Sequence, residues 1–121
     1  MESAELRLET ARDVVVAHLK GELDLSNVRG VGEAIRRDLS NDVRALVVDL
    51  TGVTYLDSAA IHVLYRLHTR LQERAQRLWI AVAADTPVAA TLGLAGVLTA
   101  IPTAPSVEAA LRAVGDAVDE P

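Results

Sequence analysis

The sequence predicts an α/β domain built on a mixed, mostly parallel β-sheet. Three observations lead there. The chain opens with two strand-like runs joined by a short connection; later β-branched runs carry apolar residues on both faces; and those runs alternate with stretches of helical period. Strand–helix–strand units with short links imply parallel pairing through right-handed crossovers, and the opening hairpin makes the sheet mixed. At 121 residues the chain suits one domain spanning 1–121, with a core of about 5–118.

Residues 5–9 and 13–20 read as strands, with "TAR" between them, hence a hairpin. "GELDLSNVRGVGEAIRRDLS" opens on a glycine turn. It then carries Leu25, Val28, Val31, Ile35 and Leu39 at near-helical spacing, a first helix weakened by Gly30 and Gly32. "VRALVVDL" (43–50) has the two-sided apolar pattern of a central parallel strand. A helix follows from about Ser58 to Arg74. Its phase turns Ala60, Leu64, Leu67 and Leu71 to the sheet, and His62, Arg66, Thr69 and Arg70 to solvent or a partner.

"LWIAVA" from Leu78 is the next buried strand. "TPVAATLGLAG" is a short helix with Pro87 at its start and glycines at its close, "VLTAIP" returns as a strand, and "SVEAALRAVGDAV" is the last helix with Ser106 as N-cap. The expected order is β-β-α-β-α-β-α-β-α, with about four helices.

Composition narrows the function. With 50% hydrophobic and 24% charged residues the chain folds rather than staying disordered, and without phenylalanine its core is aliphatic. A formal charge of −5 and a single lysine, Lys20, argue against direct nucleic-acid binding, which needs a basic face. The arginines at Arg36-Arg37 and along Arg66, Arg70, Arg74 and Arg77 are spaced by apolar positions and read as solvated helix faces. The absence of cysteine removes disulfides, thiolate catalysis and cysteine zinc sites, and fits the reducing cytoplasm expected for this chain. "MESAELRLET" has no apolar core and is not read as a signal peptide. The uncharged stretch Thr86–Val107 is broken by Pro87, Gly93, Gly96, Pro102 and Pro105, so it reads as two short buried elements and not as a membrane span.

Asp57 and Ser58 fall where a strand hands over to a helix, the end of an α/β unit at which ligands and partners gather. One of them caps the helix; if the cap is the serine hydroxyl, Ser58→Ala loses about 1 kcal/mol. A hydroxyl there is also where a phosphate is held by amides and the helix dipole. A phosphoryl-accepting receiver domain needs an acidic pair after the first strand and a late lysine, and neither occurs. There is no G-x-S-x-G elbow, P-loop or G-x-G-x-x-G after a strand. His18, His62 and His68 lack the spacing of four that puts two metal ligands on one helix turn. Ser58 and His62 are so spaced, but no carboxylate orients the pair. No cofactor, no metal and no enzymatic activity are expected.

"VVDLTGVTYLDSAAIHVL" resembles the signature segment of the STAS domain, shared by anti-anti-sigma factors and the cytoplasmic tails of sulfate-type anion transporters. In that family an apolar strand ending in Asp and Leu leads through a short linker to Asp-Ser-(Ser/Thr)-Gly-(Leu/Ile). The agreement continues in "LKGELD" and "LGLAGV", so it covers nearly the whole chain. The resemblance implies that Ser58 is phosphorylated by the partner, an anti-sigma factor that is also a GHKL-type, ATP-dependent serine kinase. It also places Asp24 on the loop acid beside that serine, and implies a partner-binding face of Asp24, Asp57, Ser58, Ala59, Ala60, His62 and Arg66.

The function so implied is that of an anti-sigma factor antagonist, in a partner switch that regulates transcription. Unphosphorylated, it binds the anti-sigma factor and frees the sigma factor; phosphorylation ends the binding, and a phosphatase acting on phospho-Ser58 restores it. Ala59 and Ala60 depart from the family's Ser/Thr and Gly, and firm the helix start by up to about 1 kcal/mol. That pair suits an alternative: a STAS scaffold that is not phosphorylated, in a stressosome-like assembly, or the small cytoplasmic subunit of a lipid-transport complex.

Overall fold

The computed structural model describes residues 4–119, with side chains through Gly115, so 1–3 and 120–121 of the expected domain lie outside the described residues. The hairpin is formed by β1 (Glu5–Ala11) and β2 (Val14–Leu23). Its turn is Arg12-Asp13, with Arg12 left-handed at φ 60°, so the connection is shorter and later than "TAR". Then follow α1 (Val28–Arg37), β3 (Ala45–Leu56), α2 (Ser58–Glu73), β4 (Arg77–Ala81), α3 (Pro87–Leu94), α4 (Val97–Ala100), β5 (Thr103–Ala104) and α5 (Val107–Asp119).

The strands lie side by side in chain order, antiparallel between β1 and β2 and parallel from β2 onward. Alternation along β2 and β3 splits their apolar residues between two layers. Val15, Ala17, Leu19, Leu46 and Val48 join Ile80 in packing under α1, α2 and α3, against Ile35, Leu64, Leu71 and Leu92. Val14, Val16, Ala45 and Val47 face the other way, against Ala110 and Val114 of α5. Coverage on both faces is why the run through Leu50 has no polar alternation. Because each parallel strand adds on the same side of its predecessor, no strand-order reversal opens a ligand crevice.

Two elements depart from the sequence reading. Gly21 does not turn the chain; at φ +94° it lets β2 run on through a bulge, and β3 likewise continues past Leu50 to Leu56. The two extensions pair with each other, Lys20 with Gly52 through Leu23 with Leu56, and bury Leu23, Val53 and Leu56. Leu25 consequently sits beyond the strand and ahead of α1, 65% exposed, and not in the core. "VLTAIP" is the second departure. Val97 and Ile101, four apart, are both buried, and the Ile101 amide donates to the Val97 carbonyl at 2.9 Å, so the segment coils as α4 and only Thr103–Ala104 pairs as β5. This brings the helices among the described residues to five. The expected Ser106 cap is present, its Oγ accepting from the Ala109 amide at 3.1 Å, and α3 is capped likewise by Thr86, whose Oγ1 accepts from the Ala89 amide at 3.2 Å.

Asp49 is the buried acid of this sheet, 8% exposed on β3. Burial pushes its carboxyl up, but the Thr51 hydroxyl and amide at 2.6 and 3.0 Å and the His18 ring at 2.8 Å together hold it below the ordinary range. The other His18 nitrogen lies 2.8 Å from Glu9, whose carboxyl that contact lowers. A carboxyl depressed by folding contributes stability above its unfolded pKa and loses it as pH falls through the folded value. Stability is therefore expected to decline as pH drops below 3.8, the ordinary Asp value. Asp49→Asn should be less stable at neutral pH and show a shallower acid limb, which urea titrations from pH 7 to 3 would measure.

Candidate functional site

The extended β2–β3 ribbon carries two loops at its carboxyl end, and the sequence joins them through one residue. Asp57, extended at φ −109° and ψ −174°, is the N-cap of α2. Its amide donates to the Leu23 carbonyl at 3.2 Å, continuing the ladder. Its Oδ1 accepts from the Ala60 amide at 3.1 Å, and its Oδ2 from the Leu25 amide at 3.2 Å. One carboxylate thus ends a strand, starts a helix and fastens the neighbouring loop.

That loop is tied internally as well. Asp24 Oδ1 accepts from the Ser26 amide at 2.9 Å and from its hydroxyl, an Asx-type turn. Asn27 Oδ1 accepts from the Asp24 amide at 3.1 Å while its Nδ2 donates to the Glu22 carbonyl at 2.8 Å. The Asp24 loop is therefore presented as a fixed neighbour of the Asp57-Ser58 turn.

Ser58 is the first residue of α2 and exposed. Its hydroxyl makes no hydrogen bond to the described residues, so the expectation that Ser58→Ala loses a cap is corrected: Asp57 is the cap. Ser58, His62 and Arg66 are all exposed and follow one another at intervals of four, a stripe along the outer side of α2. Ala59 is half-buried beside them. Ala60, grouped with these residues as partner-facing, is only 1% exposed and packs with Leu64, Leu67 and Leu71 in the core, so it backs the face and offers no side chain to a partner.

Two flanking residues escaped the sequence reading. Leu25 is 65% exposed and Tyr55 51% exposed, large apolar groups in water on the two segments that bracket Ser58. Strand alternation alone would have put Tyr55 on the buried side with Val53; the register shift between Gly21 and Glu22, which pair with Val53 and Tyr55, breaks the alternation and leaves both Thr54 and Tyr55 exposed. Among the described residues no cluster of His, Cys, Asp or Glu could hold a metal, and no helix is long and apolar enough to cross a membrane.

Removing the Asp57 carboxylate tests this arrangement. Asp57→Ala is expected to lower stability by about 1 kcal/mol through the lost cap. Amide hydrogen exchange should accelerate at both Ala60 and Leu25, whereas loss of a cap alone would leave Leu25 unchanged.

The STAS domain family model matches residues 5–110. The chain belongs to the STAS domain family. The STAS fold recurs in solved structures of different context. An anti-sigma factor antagonist from Mycobacterium paratuberculosis superposes with a TM-score of 0.84 at 24% identity, over 94% of this chain and 96% of that one. The phosphorylated form of the Bacillus cell fate determinant SpoIIAA gives 0.66 at 21%, over 90% and 99%. The murine anion transporter Solute Carrier 26 family member A9 gives 0.76 at 15%, over 89% of this chain and 18% of that one. At such identities the likeness is one of fold. No curated protein matches the chain closely in sequence.

Proposed function

We propose that this STAS domain is an anti-sigma factor antagonist. Unphosphorylated, it binds an anti-sigma factor bearing a GHKL-type serine kinase domain and frees a sigma factor; phosphorylation of Ser58 ends that binding, and a phosphatase resets it. The observation that carries the reading is the exposed Ser58 hydroxyl at the start of α2, unbonded to the described residues and next to the Asp57 cap that fastens the Asp24 loop, with Leu25 on that loop and Tyr55 on β3 also exposed. A kinase needs its acceptor hydroxyl accessible and its surroundings ordered, and a docking partner needs apolar anchors close to polar contacts. A solved antagonist of the same fold, and the phosphorylated form of SpoIIAA, which is likewise an anti-sigma factor antagonist, support the assignment.

Asp24, Asp57, Ser58, Ala59, His62 and Arg66 form the docking face, with Ala60 behind it. The chain supplies the acceptor serine and no catalytic group; ATP and its metal belong to the kinase. The site of action is the cytoplasm, where such a kinase and its sigma factor meet. Incubation with the cognate anti-sigma factor and ATP should add one phosphate to the wild type and none to Ser58→Ala, read by intact-protein mass spectrometry with peptide mapping. A phosphate on Thr54 or Thr69 with Ser58 untouched would sink the mechanism.

Ala59-Ala60 favours a second reading, a STAS scaffold in a stressosome-like or lipid-transport assembly. The buried Ala60 gives α2 a firmer first turn than the family's glycine would. In that case no phosphate is added and Ser58 variants assemble normally.

A further inference from the structure

The chain's net charge is −5, yet one groove on its surface has the opposite sign. It runs between α1 and α2, holds about 680 Å³, and is lined by Arg29, Arg36, Arg66 and Arg70 with Glu33, over a floor of Gly32, Val63 and Leu67. Four of the chain's twelve basic side chains meet there against one acid. Arg36 is engaged by Glu33 at 2.8 Å. Arg29, Arg66 and Arg70 form no ion pair with the described residues. The Glu33 carboxyl is held below its ordinary range, by Arg36 first and then by Arg37 and Arg66.

The sequence builds the groove through one close approach. A Cβ on Gly32 would lie 3.0 Å from a Val63 methyl, so glycine brings the two helices together at that point and the arginines on either side line a shared trough. The groove is adjacent to the Ser58 turn but distinct from it: Arg70 lies twelve residues along α2, about 18 Å at 1.5 Å per residue.

The shape selects the class of ligand. Arg29 and Arg36 are seven residues apart on α1, about 10 Å, and Arg66 and Arg70 are one turn apart on α2. A single phosphate cannot span that array. Apart from Arg29 in the first turn of α1, the lining residues lie within the bodies of the two helices, and the floor is apolar. An amphipathic helix with acids at i, i+4 and i+7 and an apolar residue between them matches both the charge spacing and the floor. We infer that the α1/α2 groove is a docking site for an acidic amphipathic helix of a protein partner. Only Arg66 is shared with the face proposed around Ser58, and the inference does not depend on phosphorylation.

The test is an NMR titration of the full-length ¹⁵N-labelled chain with a synthetic helical peptide carrying glutamates at i, i+4 and i+7 and leucine on the same face. A peptide of the same composition in scrambled order and inorganic phosphate serve as comparisons. Shifts should cluster on residues 28–37 and 62–71, weaken with added salt, and fall at least tenfold in affinity in Arg66→Glu/Arg70→Glu. Arg112→Glu, on α5, should bind as the wild type does. The salt dependence of the wild type gives a readout free of any folding effect of the variants. Equal binding of the scrambled peptide, the same shifts with phosphate alone, shifts centred elsewhere, or no binding would each overturn the inference. No kinase or ATP is present, so this outcome and that of Ser58 phosphorylation are read separately.

Discussion

Leu67→Ala is expected to lower the unfolding free energy by about 2–5 kcal/mol, while Arg70→Ala, three residues on, should change it by less than about 0.5 kcal/mol. Leu67 is 6% exposed and belongs to the row Ala60, Leu64, Leu67, Leu71 that packs on the sheet. Truncation removes most of a buried side chain and leaves a cavity that α2 cannot close without leaving β3 and β4. Arg70 is exposed and in no ion pair with the described residues. In a urea titration the Leu67→Ala midpoint should fall with an unchanged slope. Equal loss in both variants would place the helix in a different phase from the one described.

The phase of α2 was legible in the sequence because burial on one side of a long helix writes itself as apolar residues at intervals of three and four. The two-sided apolar run of β3 was legible for the same kind of reason, since a strand covered on both faces tolerates no polar alternation. What escaped was set by pairing across the chain. Thr51, Thr54 and Tyr55 look like a linker, and Gly21 like a turn, until β2 and β3 are placed together and each extension supplies the other's hydrogen-bond partners.

"VLTAIP" misled in the opposite sense. Its β-branched residues suit a strand, but Val97 and Ile101 reach the core only when coiled, and tertiary burial overrode propensity. At the site, Asp57 and Ser58 were both visible as cap candidates. Their roles are divided by one residue of register that no local pattern fixes, and the bond from Asp57 to the Leu25 amide spans elements that the sequence cannot bring together. The pairing of His18 with Asp49 and Glu9 escaped for the same reason.

That division of roles makes the Ser58 variants informative about binding without confusing it with folding. Because Asp57 supplies the cap, Ser58→Ala should leave stability within about 0.5 kcal/mol of the wild type. Ser58→Glu places a negative charge in the first turn of α2, where the helix dipole favours it by about 0.3–1 kcal/mol, offset in part by repulsion from Asp57. Both variants should therefore melt close to the wild type. Their behaviour toward the anti-sigma partner should diverge. The alanine keeps the shape of the turn and the exposed Leu25 and Tyr55. The glutamate puts an unpaired charge between Asp57 and the Asp24 loop in the middle of the docking face, and burying such a charge costs about 3–5 kcal/mol. At about 1.4 kcal/mol per decade this amounts to roughly a hundredfold to several thousandfold weaker binding for Ser58→Glu, against little change for Ser58→Ala, measurable by calorimetry. Equal affinity of the two variants would mean that Ser58 lies outside the contact, and the switch assigned to it would fall even if the antagonist role held.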